Sequence, residues 1–197
     1  MSNESFIKGE VKIVDNENKN LTLSKGKVND LPKYWEKDYI NRCIQKVENH
    51  RHKMFIQFLW MTGVRVTEAI NIKKQDINLQ NYTVTIIWQK SKKAKHRNIP
   101  LHPNLKNMLD YFVAGLNQAD RLFPFSRQRA FQITEKHLGG SPHCLRHSFA
   151  VNWLRCDGRL EILSQILGHS DIKITMEYLK IVPMDQGKEL MKIDFGG

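Results

Sequence analysis

The sequence predicts a mainly α-helical domain with a small antiparallel β-sheet, an α+β fold, and three observations support this. Apolar residues recur at helical spacing along most of the chain from residue 31 onward. β-Branched and aromatic residues are concentrated in one short stretch, 82–88. Glycine and proline fall mainly at the ends of the predicted helices. With 197 residues, of which 41% are hydrophobic, the chain can form one domain with a full core.

Residues 1–30 are rich in Asn, Lys and Asp, and we expect them to lie outside this domain. Glu10–Val14 and Leu21–Leu23 could pair as a weak hairpin, but a flexible arm or linker explains the composition equally well. We therefore divide the chain into an N-terminal arm (1–30), a folded domain (31–180) and a C-terminal tail (181–197).

Three helices are predicted before the sheet. Between Tyr34 and Val47, apolar side chains share one helical face. Met54–Met61 is strongly apolar, which indicates a buried helix that Gly63 ends. A short helix is then expected over Arg65–Ile72.

The predicted sheet consists of two strands joined by basic residues. Tyr82–Trp88 has the composition of a strand, and Asn98–Leu101 forms a second, shorter one. Residues 90–97, KSKKAKHR, lie between them. The sequence therefore predicts a hairpin with a strongly basic tip.

Helices are predicted for most of the remaining chain. Pro103 suits the first turn of a helix, and Gly139 and Gly168 follow the ends of two others. The predicted spans are Pro103–Ala114, Ser126–His137, Pro142–Arg155, Leu160–Leu167, Ile172–Leu179 and, as a last short one, Gln186–Ile193.

The charge balance favours a polyanionic partner. The net charge is +11 and the pI is about 9.6, which suits nucleic acid, although a basic protein can also simply stay soluble. The chain has three cysteines, Cys43, Cys144 and Cys156. Because their number is odd and no CxxC pair occurs, they indicate reduced thiols in the cytosol. The N-terminus has no apolar signal core, and no apolar run approaches the roughly 20 residues of a membrane span. We therefore expect a soluble protein without a membrane partner.

Four separated segments carry the groups needed to break a phosphodiester without a metal. The transition state gains negative charge that arginine can meet bidentately, and a base and an acid must serve the nucleophile and the leaving oxygen. Arg65 follows the turn at Gly63, and Glu68 lies three residues further on, within reach of an ion pair. The basic hairpin is centred on Lys92. Taken alone, Arg65 and Glu68 could equally form a surface ion pair. The basic hairpin could equally be a solvated face or a general phosphate contact.

The other two segments contain histidines. His143 and Arg146 share a helix face near a helix start, whose N–H groups can also meet a phosphate. A metal site formed by His143, Cys144 and His147 is a weaker interpretation, because no acidic base lies between the histidines. His169 precedes Tyr178 by nine residues. A lone tyrosine usually belongs to the core or the surface, so only the accompanying residues single out Tyr178.

Together these segments resemble the tyrosine recombinase (phage integrase) family, over about three quarters of the chain. TGVRVTE is similar to the family's box around its first catalytic arginine, here Arg65. SPHCLRHSFA resembles the H-x-L-R-H box and corresponds to His143 and Arg146. LGHSDIKITMEYLK resembles the L-G-H…T-x-x-Y box and corresponds to His169 and the nucleophile Tyr178. The fold that the resemblance implies is that of a tyrosine recombinase catalytic domain.

The resemblance implies a mechanism. Tyr178 attacks the scissile phosphate and forms a 3′-phosphotyrosyl bond. Arg65 and Arg146 clamp the non-bridging oxygens, His143 is the general base, and His169 donates a hydrogen bond to the phosphate. The bond energy is kept in the phosphotyrosine, so neither ATP, a metal nor another cofactor is implied.

The hairpin and Glu68 receive supporting roles from the same resemblance. SKKAKHRNIPL resembles the family's K-x-x-K-x-R-x-x-P-L pattern, which favours Lys92 as the general acid. Glu68 would orient the arginines or histidines. The remaining basic residues of the hairpin would contact DNA: Lys90, Lys93, Lys95 and Arg97, the lysines among them also competing for the acid's role.

The implied function is site-specific cleavage and rejoining of double-stranded DNA, carried out in the cytoplasm at the nucleoid. The family assembles four protomers on DNA, and the free protein would be a monomer. Members usually carry a further N-terminal DNA-clamping domain, and their C-terminal tail often docks on a neighbouring protomer. Two rivals remain: a type IB topoisomerase, in which lysine usually replaces the histidine at position 143, and a non-catalytic DNA-binding module, which the complete set of site residues disfavours.

Overall fold

The computed structural model describes residues 32–90, 93–182, 187 and 190–191, with the backbone alone at 88–90, 93 and 94. The described part is mainly helical with one three-stranded antiparallel sheet, which confirms the predicted fold class. The predicted arm or hairpin in residues 1–30 and most of the predicted helix Gln186–Ile193 lie outside the described residues. Among the described residues, every helix falls short of the length and apolarity that crossing a bilayer demands.

Most of the predicted helices are present, with some different ends. The first begins only at Lys37 and ends at Gln45, within the stretch from Tyr34 to Val47 that was predicted to share one helical face. The described α-helices are α1 (Lys37–Gln45), α2 (His50–Thr62), α3 (Val66–Ala69), α4 (Pro103–Val113), α5 (Arg127–Leu138), α6 (Pro142–Arg155), α7 (Leu160–Leu167) and α8 (Ile172–Met176), with short 3-10 helices over Lys74–Asp76 and Glu177–Lys180.

Helix α2 lies at the centre of the main hydrophobic core. Phe55 and Phe58 are fully buried, and their rings meet that of Phe123 with centroids 5.3 and 5.5 Å apart. The side chain of Asn49 caps the start of the helix by accepting a hydrogen bond from the His52 N–H over 3.0 Å. Helix α2 packs against α6 and α4. The core thus supports α6, the helix that carries the H-x-L-R-H segment.

Gly63 ends α2 in a conformation and a space that only glycine fits. Its φ is +64°, in the left-handed region, and a Cβ added there would lie 2.4 Å from the Cδ1 atom of Phe149 on α6. This close approach brings the turn after α2 directly against α6. Arg65 follows immediately, so the turn places it beside the residues of α6.

The sheet has the order β1 (Ile77–Asn78), β2 (Thr83–Lys90) and β3 (Lys93–Pro100). Strand β3 begins five residues earlier than predicted, because 93–97 pair with 86–90 in a continuous antiparallel register. Most of the basic residues assigned to a hairpin tip therefore belong to a strand. Strand β1 was not predicted; at two residues it is too short to show an alternating pattern.

A smaller apolar cluster lies beneath the C-terminal elements. Ala150 and Val151 of α6, and Leu163 and Leu167 of α7, pack around Tyr178. Tyr178 lies in the 3-10 helix Glu177–Lys180 rather than in one helix continuous with Ile172. This cluster holds the aromatic ring against α6.

Candidate active site

Glu68 fixes both the backbone and the side chain of Arg65 at the start of α3. The Arg65 N–H donates to Glu68 Oε2 over 2.8 Å, and Nη1 donates to Oε1 over 3.2 Å. Nη1 also donates to the Leu167 carbonyl over 3.5 Å. The Arg65 side chain remains 42% exposed, against 5% for that of Glu68. The arginine is thus anchored and still accessible to an incoming anion.

Arg97 is the second arginine on Glu68, which corrects the expectation that it faces DNA. Its Nη1 and Nη2 donate to Oε1 and Oε2 over 3.0 and 2.9 Å, a bidentate pair. Its Nε donates to the carbonyl of Ile166 over 2.9 Å, and its side chain is only 10% exposed. Arg97 lies opposite Ile86, on the buried face of the sheet, and so points inward. It joins β3 to α3 and to the end of α7.

The carboxyl group of Glu68 is held in its charged form. Burial acts to raise the pKa of Glu68, but the hydrogen bonds and charge of Arg97, together with Arg65, outweigh it and the pKa is lowered. An ionised carboxylate can therefore accept from both guanidinium groups. The position of Glu68 agrees with the orienting role that the sequence suggested.

Arg146 is buried on α6 and bound to main-chain carbonyls on two sides. Nη1 donates to the carbonyl of Gly63 over 2.7 Å, and Nη2 to that of Leu167 over 2.8 Å. Nη2 also donates to His169 Nε2 over 2.9 Å. Burial, then the charge of Arg65, lowers the pKa of Arg146 to about 10, so it stays protonated at neutral pH. A guanidinium has five N–H groups, so donors remain for a phosphate after these three bonds.

His169 is oriented from both of its ring nitrogens. Because arginine can only donate, Nε2 accepts from Arg146, and Nδ1 must then carry the hydrogen that it donates to Thr175 Oγ1 over 2.8 Å. Gly168, with φ +66°, forms the turn before it. To donate the predicted hydrogen bond to a phosphate, Nε2 would have to leave Arg146 and also gain a hydrogen, either by exchange of tautomer with Nδ1 or by protonation of the ring.

Tyr178 is buried, and its hydroxyl is hydrogen-bonded to His147 rather than to the predicted base His143. The distance from His147 Nδ1 to the hydroxyl is 2.8 Å, and Tyr178 is 3% exposed. The His143 ring lies edge-on against that of His147, with centroids 4.4 Å apart. Burial raises the pKa of the phenol, although the charge of Arg146 acts in the opposite direction. The phenol therefore rests in its neutral form.

The three histidines of this cluster favour the neutral state. Burial is the first cause in each case; nearby positive groups add to it. The pKa of His147 is lowered to about 4, with His143, Arg146 and His169 acting after burial, and that of His169 is likewise lowered to about 4. The pKa of His143 is lowered by burial and by Arg146 and Arg65. Positive charge is thus concentrated on the arginines, and the site is prepared for an anion.

The hairpin lysines are described only in part. Lys92 lies outside the described residues, and for Lys90 and Lys93 only the backbone is described. Lys95 is exposed on β3, where it lies opposite Trp88. Their assigned roles as general acid or DNA contacts remain predictions.

The described side chains bring two arginines and a histidine together. Within the part of the chain that the structure describes, no three His, Cys, Asp or Glu side chains come together in a way that could hold a metal ion. The weaker metal interpretation of His143, Cys144 and His147 therefore has no structural support. Arg65, Arg146 and His169 instead converge near one carbonyl, that of Leu167.

Two residues of the site were not identified in these positions from the sequence. His147 had been considered only as a weak metal ligand, and its partner Tyr178 lies 31 residues away, which no local pattern reveals. Arg97 carried a detectable signal. It precedes buried Ile99 by two residues and therefore shares its inward face of the strand.

Comparison with known proteins identifies one family over most of the chain. The model of the phage integrase family matches residues 33–183. That range contains every residue of the cluster described above.

Curated relatives are tyrosine recombinases. The chain is 27% identical over 169 residues to tyrosine recombinase XerA of Pyrococcus horikoshii, covering 77% of this chain and 58% of the relative. It is 29% identical over 154 residues to XerD of Vibrio vulnificus, covering 66% and 49%, and 30% identical over 159 residues to XerA of Saccharolobus solfataricus, covering 78% and 54%. The chain thus spans about half the length of the curated relatives it matches.

Solved structures share the fold. The crystal structure of XerA recombinase matches with a TM-score of 0.64 and 26% identity, over 82% of this chain and 64% of that one. The catalytic domain of bacteriophage HP1 integrase also matches with a TM-score of 0.64, at 22% identity, over 81% of this chain and 94% of that one. XerH site-specific recombinase bound to difH substrate matches with a TM-score of 0.64 at 22% identity, over 83% and 53%.

Proposed function

The chain belongs to the phage integrase family, and we propose that it cleaves and rejoins double-stranded DNA at specific sites through a 3′-phosphotyrosyl intermediate on Tyr178. One observation carries this proposal. Two arginines and His169 converge near the Leu167 carbonyl, and the hydroxyl of Tyr178 is held by the residue that follows Arg146 on α6. Phosphate-binding donors and a nucleophile therefore belong to one cluster.

The arginines would bind the scissile phosphate. Arg146 is fixed by the carbonyls of Gly63 and Leu167, and Arg65 by Glu68, so both are oriented before DNA arrives. Donors oriented in advance stabilise the charge of a phosphoryl-transfer transition state without reorganisation. The charges of Arg146 and Arg65 act on the ring of His143, so we also place His143 beside the bound phosphate.

The hairpin would supply the acid and further DNA contacts. Strands β2 and β3 pair as a two-stranded ribbon up to Lys90 and Lys93, and Arg97 ties that ribbon to Glu68. We assign Lys92 as the acid for the 5′-oxygen, with Lys90, Lys93 and Lys95 as DNA contacts. The proposal extends to four protomers acting together on DNA at the nucleoid, with tail 181–197 docking on a neighbour, as the family resemblance implies.

The relatives favour this function over the topoisomerase alternative. The curated matches are named tyrosine recombinases, and XerA of Saccharolobus solfataricus reaches 30% identity. Recombination also needs partner DNA sites and assembly, which supercoil relaxation does not. Joining of two separate DNA sites is accordingly the activity to measure beside cleavage.

Tyr178→Phe should abolish covalent attachment to DNA. The substitution removes the attacking oxygen and keeps the ring that packs among Ala150, Val151 and Leu163. Incubation of both proteins with a nicked suicide site, followed by denaturing electrophoresis, measures the adduct. We expect an adduct with the wild-type protein and none with the variant, while the affinity for the same DNA changes little, because the side chains proposed to bind the phosphate are unaltered.

The outcomes separate chemistry from binding. An adduct that persists in Tyr178→Phe would assign the nucleophile to another residue. A wild-type protein that binds DNA without ever forming an adduct would favour the non-catalytic DNA-binding module instead.

A further inference from the structure

His147 is the group that touches the hydroxyl of the nucleophile. Its Nδ1 lies 2.8 Å from the Tyr178 oxygen, a short hydrogen-bond distance between a ring nitrogen and a phenol. The phenol can donate its proton, and a neutral histidine accepts at one nitrogen only. If Tyr178 donates, the hydrogen of His147 is on Nε2, and Nδ1 faces the hydroxyl with its lone pair.

We propose that His147 takes the proton of the Tyr178 hydroxyl during strand cleavage and returns it during rejoining, which makes it a further catalytic residue. The inference rests on the proposed function, since it requires Tyr178 to be the nucleophile. It replaces the general-base role that the family resemblance implies for His143. Among the described side chains, the hydroxyl of Tyr178 is hydrogen-bonded to His147 and not to His143. The ring of His143 instead contacts the ring of His147.

The step balances as follows. The Tyr178 oxygen forms a bond to phosphorus while the phosphorus–O5′ bond breaks. The phenolic proton moves to His147 Nδ1, which gives an imidazolium, and the O5′ atom takes a proton from the hairpin acid. In rejoining, the 5′-hydroxyl attacks phosphorus and gives its proton back to the hairpin group that acted as the acid. The phosphotyrosyl bond breaks, and the imidazolium returns its proton to the phenolate. No oxidant, metal or other reactant is consumed.

The surroundings of His147 keep it ready to accept a proton. Four groups face it: His143 and Arg146 from the same helix, His169 from the turn after α7, and Tyr178 from the 3-10 helix. In the free protein, burial and the positive neighbours keep the ring neutral, and thus in the accepting form. Binding of a phosphate brings negative charge among Arg146, His169 and His143. That charge favours an imidazolium, so the ring becomes more basic when substrate arrives.

Helix α6 explains why these two groups meet. Residue 147 directly follows Arg146, so the two side chains leave the same turn of α6 about 100° apart and reach different parts of the site. Tyr178 packs against Ala150 and Val151, which lie one turn further along α6. This packing fixes the position of the phenol along the helix axis. Phosphate donor and proton acceptor are therefore placed by one rigid element, which is the arrangement that positioned proton transfer requires.

His147→Asn tests the role, since the Asn amide oxygen can keep a hydrogen bond near the Nδ1 position but cannot take the proton. Single-turnover cleavage of a suicide site is followed over a range of pH for the wild-type protein, His147→Asn and His137→Asn. His137 lies on α5 beside His52 and controls for replacing a half-exposed histidine. We expect His147→Asn to form adduct about 10²- to 10⁴-fold more slowly. The wild-type rate should fall at acid pH and this limb should disappear in the variant, while His137→Asn follows the wild type.

A substrate with a bridging sulfur at the 5′ position separates base from acid. A thiolate leaves without protonation, so this substrate rescues a defect in the general acid only. We expect His147→Asn to remain slow on it. A variant that matches the wild type in rate and in pH profile, or a defect that the sulfur substrate repairs, overturns the proposal.

Folding and function are controlled independently. If His147→Asn proves unfolded by thermal melting, the pH profile of His143→Asn decides: an intact acid limb supports His147 as the base, and a lost limb assigns the base to His143. A wild-type protein that forms no Tyr178 adduct at all contradicts the proposed function. A normal wild-type adduct with an unaffected His147→Asn contradicts only the present inference.

Discussion

At the scale of single residues, the site combines neutral histidines with charged arginines. Five positive or potentially positive groups lie close together: Arg65, Arg146, His143, His147 and His169. Burial and mutual repulsion discharge the histidines but not the arginines, whose intrinsic pKa is far higher. The positive charge of the arginines is thereby permanent, while the histidines stay unprotonated at neutral pH.

The lowered histidine pKa values predict a loss of stability in mild acid. Between about pH 6.5 and about pH 4 the unfolded chain protonates His147 and His169 while the folded chain does not. The unfolded state then binds more protons, so the free energy of unfolding decreases as the pH falls through this range and levels off below it. Each histidine contributes a slope of at most about 1.4 kcal/mol per pH unit. Urea denaturation of the wild type and His147→Asn between these pH values measures it; equal slopes would contradict the shift of His147.

The sequence reveals single residues of the site more readily than the contacts among them. Arg65, His143, Arg146, His169 and Tyr178 could be singled out as site candidates because each lies in a motif that is local in the chain. The contacts among them could not be predicted, since they depend on how α6, α7 and the turn at residue 63 pack in space. His147 was considered only as a weak metal ligand, because its hydrogen bond to Tyr178 joins two elements that are separate in the chain.

At the scale of elements, the turns that end α2 and α7 position the site. Both glycines adopt left-handed φ, and each approaches a side chain of another element: Gly63 approaches Phe149, and Gly168 approaches Arg97. Gly63 was predicted to end a helix. Its close packing against α6 could not be predicted, because a glycine in the sequence indicates a backbone conformation but not which side chains lie next to it.

Gly63→Ala should destabilise the protein by about 2–5 kcal/mol. Left-handed backbone costs a residue with a Cβ about 1–2 kcal/mol, and overpacking against Phe149 costs about 1–3 kcal/mol more. Gly115→Ala is the matched control, since a Cβ there meets nothing within 4 Å. Chemical denaturation of both variants gives the comparison. Equal stabilities would show that the turn after α2 can relax away from α6.

The pair Glu68–Arg97 connects the hairpin to the rest of the site. Arg97→Met leaves Glu68 buried with only Arg65 beside it, and breaking a buried pair costs about 3–5 kcal/mol. We expect that loss of stability together with slower adduct formation, because β3 loses its link to Glu68 and Glu68, which anchors Arg65, loses its bidentate partner. Denaturation and suicide-site cleavage measure the two effects.

Arg159→Met supplies the control for this change. Its ion pair with Glu161 is exposed, at 76% and 57%, so the loss should stay below about 1 kcal/mol with cleavage unaffected. A mild effect of Arg97→Met, similar to that of Arg159→Met, would mean that Glu68 is held well enough by Arg65 alone.

At the scale of the whole molecule, the net charge of +11 predicts DNA binding that weakens steeply with salt. Each phosphate contact that releases a counterion adds about 0.9 to the slope of log K against log salt concentration. Lys95→Ala removes one exposed charge on β3 and should lower that slope by about 0.9. Anisotropy titrations at several salt concentrations measure the slope. An unchanged slope would place Lys95 away from the DNA backbone.

The fold class could be predicted because helical periodicity extends over most of the chain. The sheet was predicted less well. Register, rather than residue type, decides where β3 begins, and the basic residues 93–97 gave no β-type composition by which to recognise it. Tertiary pairing thus overrode local preference in the segment where the sequence was most strongly charged.

The anchors of Arg146 have an evolutionary consequence. Both are main-chain oxygens, those of Gly63 and Leu167, and a carbonyl is identical in every amino acid. Point substitutions at position 167 can alter the packing there without deleting the acceptor. The side chain at position 167 can therefore change while Arg146 keeps this bond and its orientation.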